Sequence, residues 1–306
     1  MHTQRLNTHP LKFLTSRILA QGPRVPHAFS TRVGGVSGSI PSHAHFSSLN
    51  FGNPSELLSD QRDPPINIAT NWQLLLTALN IPDRRLVEVH QVHSSHVYVI
   101  SRGSPPPPEI EPAPKADAII TNDPAIAIAV RIADCAPILL ASADGSIVAA
   151  VHAGWRGVVS GVLPAAVYAM RELANKDEAR YANTSAHNLT LYAAIGPCIG
   201  PAAFEVGEEV AAEFHLAFPH HSHDIIHAPG TINIDPAMHL GDKHTNTKPH
   251  IDLKAALKIQ LESLGVTHIE TIPGCTSNDS ANFFSYRRDA ARSGRLAAVI
   301  SPRSIH

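Results

Sequence analysis

Apolar residues in this chain fall into short, β-branched runs separated by turn residues, with a few longer stretches of helical spacing between them. HAFS at 27–30 reads as a strand feeding a glycine-rich turn, where Gly34 and Gly35 permit positive φ or close approach to something bound. NWQLLLTAL, 71–79, has the pattern of a short amphipathic helix that stops near Pro82. In LVEVHQVHSSHVYVI, 86–100, Val87 and Val89 alternate with polar residues, as do Val97 and Val99, which is the period of a strand. A brief strand is expected at 118–120. AIAIAVRIA and PILLAS are almost continuously apolar, as strands buried on both faces are, and Asp134 and Cys135 break the run. SIVAAVHA is another such strand, which turns sharply over 154–157 into a helix across 158–176. Further helices are expected over 208–218 and 251–265, and strands over 189–195, 266–273 and 295–301.

Strands and helices alternate along the whole chain without a linker or an internal repeat. The pattern predicts a single α/β domain (mixed α+β) over 27–306, preceded by an N-terminal arm, 1–26. Two segments lack periodicity and read as surface insertions. SRGSPPPPEIEPAPK, 101–115, is proline-dense and expected to be extended polyproline II. The stretch 216–249 is polar, Gly/Pro-punctuated and rich in histidine, and reads as a solvated loop.

Composition narrows the function classes. The 306 residues carry a net charge of -2, which argues against a nucleic-acid or membrane surface. No apolar run reaches the length of a membrane span. Three cysteines, Cys135, Cys198 and Cys275, are too few for a disulfide framework and suit a reducing compartment. The first acidic residue is Glu56, and the basic, Thr/Ser-bearing N-terminus admits a mitochondrial transit reading. It lacks the apolar core of a secretory signal, and the cytoplasm is the expected location.

Chemistry concentrates in three words, VHQVHSSHV around His93, RIADCAPILL around Cys135 and AAVHAGWRG around His152. Two imidazoles and a thiol are the ligand set of a zinc site whose fourth position stays open for water or substrate. On a continuous strand, His90 and His96 would share one face and His93 would point to the other. Asp134 interrupts an apolar strand, a costly placement that marks a site and makes it a candidate general acid/base. Copper binds the same donor atoms. A multicopper oxidase calls for many paired His-x-His words, however, and this chain has only His43-Ala-His45 and His221-Ser-His223. A metal-free alternative makes Cys135 a nucleophile and His152 its base, as in a cysteine hydrolase or deamidase, and leaves His93 without a role. A non-catalytic metal-binding protein is the third reading. Arg32, beside Gly34 and Gly35, and Arg156, after the His152 turn, are the candidate anion-binding residues. Arg287 and Arg288 are adjacent and cannot both face one pocket from a strand.

FSTRVGGVS, SLNFG, HQVHSSHV, KADAIIT, ADCAPILL, VHAGWRG, AIGPCIGPAAFEVG, CTSNDSANFFSYRRD and SGRLAAVI stand in this order. In them the chain resembles the purine nucleoside phosphorylase family with a laccase domain, once described as multicopper polyphenol oxidases, over about 27–301. The resemblance implies a single-domain sandwich of mixed β-sheets flanked by helices, related to the cysteine-type deamidase toxins. It implies zinc held by His93, Cys135 and His152. It also implies phosphorolysis of adenosine, inosine, guanosine and methylthioadenosine, together with adenosine deamination. A purine nucleoside and inorganic phosphate are then the expected partners, and the oligomeric state stays open. The chain departs from the family pattern at Ser94, where glycine is usual, and in the length of its His-rich insertion.

Overall fold

The computed structural model describes residues 10–39, 41–104, 113–176, 189–231 and 248–304. The first part of the expected arm, most of the proline-dense segment and 232–247 of the His-rich insertion lie outside them. Strands β1 (Phe13–Leu14), β2 (His27–Ser30), β3 (Arg85–Glu88) and β4 (Val97–Ile100) come first. They are followed by β5 (Ala118–Thr121), β6 (Ile126–Ile132), β7 (Ala136–Ser142) and β8 (Val148–Ala153). The remainder are β9 (Leu191–Ile195), β10 (Ile226–His227), β11 (His250–Ile251), β12 (His268–Thr271) and β13 (Leu296–Ile300).

Two mixed sheets are stacked. One has the order β1-β2-β13-β6-β3 and the other β12-β9-β7-β8-β5-β4. The buried runs explain the stacking, because their two faces have different partners. From β6, Ile126, Ile128 and Val130 join Leu139, Val148 and Ala150 of the other sheet in one core. Ala127 and Ala129 face outward, against Trp72, Leu75 and Leu76 of the helix Pro65–Ala78. From β7 and β8, Ile138, Leu140, Ala149 and Val151 cover the outer face, against the helices Val162–Lys176 and Leu253–Ser263. The order of layers is therefore helix, sheet, sheet, helix. Each fully buried branched side chain in them contributes about 1.5–3 kcal/mol.

Local signals set most helix ends. Pro65 opens the first long helix, where a missing N–H costs nothing. Asp252 caps Leu253–Ser263 by accepting from Lys254 N and Ala255 N. Gly161, at φ 80°, separates the short turn Trp155–Val159 from Val162–Lys176, so the helix expected over 158–176 is two pieces. Residues of the expected arm are built into the fold: β1 pairs with β2, and Leu19 of the helix Arg17–Gln21 is fully buried. The continuous strand expected over 86–100 is instead two strands in different sheets, β3 and β4, because residues 91–96 turn. Among the described residues, no helix is long and apolar enough to cross a membrane.

Candidate metal and nucleoside site

His93 lies in that turn, at φ 58°, so the face alternation expected of a strand does not apply to it. A fully buried carboxylate holds the turn: Asp117, just before β5, accepts backbone N–H from Val92, His93 and Ser94 at 3.2, 2.9 and 2.6 Å. The Ser94 hydroxyl donates to it as well, at 2.8 Å. Cys135 lies where the chain passes from β6 to β7, next to Asp134 at φ 89°. His152 lies on β8, paired with Pro137 of β7, and so stands one strand away from Cys135.

The donor atoms of His93, Cys135 and His152 lie within 4.8 Å of one another. Cys135 Sγ is 3.8 Å from His93 Nε2, and the two imidazole centroids are 4.9 Å apart at 78°. A tetrahedral zinc with ordinary Zn–S and Zn–N bonds spaces a sulfur and a nitrogen by roughly 3.6 Å. The three donors therefore match such an ion with only small side-chain adjustments. His152 Nδ1 donates to Asp117 Oδ1 at 2.8 Å, which fixes the tautomer and leaves Nε2 for the cluster. Gly154 completes the close packing, since a Cβ there would lie 2.9 Å from both Cys135 Sγ and His93 Cδ2.

Charges in the cluster are strongly coupled. Burial alone would raise the Cys135 thiol, but the His152 charge and hydrogen bonds from both histidines bring it down to about 6. Burial would likewise lower His152, yet Cys135 and Asp117 hold it up at about 9. Asp117 lies below the usual carboxylate range, because its bonds to His152 and Ser94 outweigh its burial. Cys135 and His152 thus each favour the charged form of the other, and the thiolate is the form a metal takes.

A cavity of about 650 Å³ opens over this cluster. His90, Gln91, Asn53, Phe204 and Tyr286 also line it, as do Arg131, Arg287 and Arg295. Of the expected site residues, His93, Cys135, His152 and Asp134 meet here, whereas Arg32 and Arg156 do not. Arg32 spends its guanidinium on the carbonyls of Ser47, His45 and Ser280, and stacks over Phe284 at 4.4 Å. Its neighbouring glycines approach protein rather than a ligand: a Cβ on Gly34 would meet Leu11, and one on Gly35 would meet Ser48. Arg156 is exposed and stacks on Trp155. Asp134 lines the wall but accepts from Thr276 Oγ1 and Arg287 N, both at 2.6 Å. With a hydrogen bond accepted on each oxygen, it ties the wall to Thr276 and to the turn that carries Arg287. Arg287 and Arg288 do diverge, on the helical turn Tyr286–Asp289 rather than on a strand, with Arg287 toward the cavity.

Three residues escaped the sequence reading: Asp117, Arg131 and Arg295. Asp117 carries the same signal as Asp134, an acid beside a wholly apolar strand. Arg131 is the single cation of AIAIAVRIA, and Arg295 immediately precedes β13.

The sequence model of the family described as multi-copper polyphenol oxidoreductase laccase matches residues 26–303. Escherichia coli (strain K12) purine nucleoside phosphorylase YfiH is 33% identical over 290 residues, 94% of this chain and 99% of that protein. The Deinococcus radiodurans purine nucleoside phosphorylase is 32% identical over 278 residues, 90% of this chain and 88% of its own. Among solved structures, a Neisseria meningitidis protein superposes with a TM-score of 0.68 at 28% identity, covering 95% of this chain and 99% of that one. YlmD of Geobacillus stearothermophilus gives 0.67 at 26%, covering 96% and 100%. Despite the family's description, His93, Cys135 and His152 form the one metal-competent cluster among the described residues.

Proposed function

We propose that this chain, which belongs to the multi-copper polyphenol oxidoreductase laccase family, is a zinc-dependent purine nucleoside phosphorylase that also deaminates adenosine. The observation that carries the reading is the cavity of about 650 Å³, with three metal-ligating side chains exposed to it and three arginines in its wall. Its volume suits a small-molecule ligand. Phe204 and Tyr286 offer aromatic surface for a purine, and the guanidiniums of Arg131 and Arg295 offer donors for an oxyanion, whereas that of Arg287 is spent on the carbonyls of Ala203 and Glu205. Relatives that carry the name purine nucleoside phosphorylase across most of this chain support the reaction class. The proposed substrates are adenosine, inosine, guanosine and methylthioadenosine, each with inorganic phosphate.

His93, Cys135 and His152 would hold the zinc, with Asp117 fixing His152. Zinc bound there would supply Lewis acidity at an open fourth position. The chain's own contribution is to place the nucleoside between the aromatic wall and the cluster, and phosphate against the arginines. The three cysteines are unpaired, as a reducing cytoplasm keeps them.

A second reading has one specific observation behind it. Cys135, His152 and Asp117 form a thiolate–imidazolium–carboxylate series, the arrangement of a cysteine hydrolase, which fits the proposed kinship with deamidase toxins. One experiment separates the two. Purified protein is analysed for zinc, then incubated with inosine or adenosine, with and without phosphate, and the products are separated by chromatography. Free base only in the presence of phosphate, lost in zinc-free Cys135→Ala and His152→Ala, supports the phosphorylase. Phosphate-independent inosine from adenosine supports the deaminase. Full zinc in both variants sinks the ligand set, and hydrolysis that survives metal removal favours the cysteine hydrolase.

A further inference from the structure

The word SLNFG ends at Gly52, and its purpose emerges from the end of the five-stranded sheet. Arg131 pairs directly with Ala297 of β13, so Arg295, two residues earlier, is its diagonal neighbour on the same face. Glu88 of β3 pairs with Ala129 and takes the other diagonal; its carboxylate is 3.1 Å from Arg131 Nε. Two cations are thus held side by side, with Glu88 against Arg131 and the exposed Glu56 near enough to Arg295 to act on its charge, and the pair faces the same cavity. Gly52 makes room for Arg131 and lies in contact range of Arg295. A Cβ there would lie 2.8 Å from Arg131 Nη1 and 3.5 Å from Arg295 Cγ. The loop is fixed for this purpose: Asn50 Oδ1 accepts from Gly52 N and Arg295 N, and Phe51 N donates to Arg295 O.

The donor inventory leaves a vacancy of one kind. Arg295 Nη1 serves the carbonyls of Ser293 and Gly294. Its Nε and Nη2, and both terminal nitrogens of Arg131, have no acceptor among the described residues. Both side chains line the cavity that holds the His93–Cys135–His152 cluster.

We propose that Arg131 and Arg295, set around Gly52, form the subsite for inorganic phosphate in this cavity. The assignment rests on the phosphorylase reading and replaces Arg32, whose donors are committed elsewhere. Two planar guanidiniums present forked donors that match a tetrahedral oxyanion. Their position beside the cluster is where a phosphate must lie to approach the ribose of a nucleoside seated over it.

Inorganic phosphate is the probe. It is titrated into the purified protein by calorimetry, and varied in inosine phosphorolysis at saturating inosine. Arg131→Gln and Arg295→Gln are each expected to raise the phosphate Kd and KM about tenfold or more, the scale of a charged hydrogen bond lost. KM for inosine should change by less than about twofold, and zinc content should not change. Gly52→Ala removes no charge yet should give the same phosphate defect by displacing Arg131, and it carries the test if an arginine variant does not fold. Phosphate Kd and KM within about twofold of wild type in Arg131→Gln and Gly52→Ala overturn the subsite. So does a wild-type protein that binds no phosphate. Phosphate bound by wild type and lost in the variants, with no inosine split by any of them, keeps the subsite and rejects the phosphorylase.

Discussion

Replacing Asp117 by asparagine keeps the shape of the side chain and removes only its charge and half of its acceptors. Oδ1 accepts from His152 Nδ1 and His93 N, and Oδ2 accepts from Val92 N, Ser94 N and the Ser94 hydroxyl. Whichever oxygen becomes the amide nitrogen, two N–H groups that had an acceptor then face a donor. A buried donor left without its partner costs about 1–3 kcal/mol, so the pair costs about 2–6 kcal/mol. That is a large share of the roughly 5–15 kcal/mol by which a domain is stable. The same change frees His152 to rotate and loosens the turn that carries His93. Loss of such outer partners lowers metal affinity about 10–100-fold. Urea unfolding of the metal-free protein reads the first effect, and competition for zinc with a chromogenic chelator reads the second. Ser94→Ala is the milder control, because it deletes one of the five bonds and otherwise releases only the exposed His96 N–H, which water can take up; it should cost about 1 kcal/mol. An Asp117→Asn protein within about 1 kcal/mol of wild type and with unchanged zinc affinity would refute the reasoning.

Three further outcomes are expected. Gly154→Ala should weaken zinc binding about tenfold or more while phosphate binding holds, because its Cβ would press on Cys135 Sγ and His93 Cδ2; chelator competition checks it. Arg32→Lys should cost about 1–3 kcal/mol in urea unfolding, from the lost carbonyl bonds, with KM for phosphate unchanged. His27 is buried, accepts from Ser16 N and bonds Val25 O; burial lowers its pKa below 6.5, only partly opposed by those bonds. The unfolded chain therefore binds the proton first, so this contribution is complete above 6.5 and is lost as pH falls below it. His27→Gln should flatten the slope of the urea midpoint against pH in that window.

What the sequence discloses follows from where each signal is stored. Strands β6, β7 and β8 are legible because every residue on both faces but Arg131 is buried, and such runs need no knowledge of the partner. Of the three candidate ligands, Cys135 is legible because it falls between two of those runs and His152 because it stands near the end of the third, whereas His93 lies outside them, between β3 and β4. The turn at 91–96 was missed for the opposite reason. The apolar alternation on its two sides is in phase with a single strand, and the groups that hold the chain in a turn, the Asp117 carboxylate and the Arg131 backbone bonded to the Gln91 side chain, lie over twenty residues away. Arg32 misled because glycine neighbours admit a close approach without saying by what; the approach is by Leu11 and Ser48. Arg131 stands out only as the one cation of its apolar run and Arg295 not at all, since what pairs them is the register of β6 with β13.

That register leads to the reason the cavity forms where it does. Three connections pass between the two sheets at one end of the sandwich: β3 to β4, β6 to β7, and β12 to β13. The first carries His93, the second Asp134 and Cys135, and the third Tyr286, Arg287 and Arg295, and all of these line the cavity. A chain that changes sheet must leave both hydrogen-bond ladders for a few residues. At such a corner polar groups and positive φ values are tolerated, as at His93 and Asp134. The five-stranded sheet then contributes its row of charge and the six-stranded sheet contributes His152, so neither sheet alone holds both halves of the site. On the proposed reading, metal and phosphate meet at the sandwich corner, and substitutions that shift one sheet against the other should impair the binding of both together.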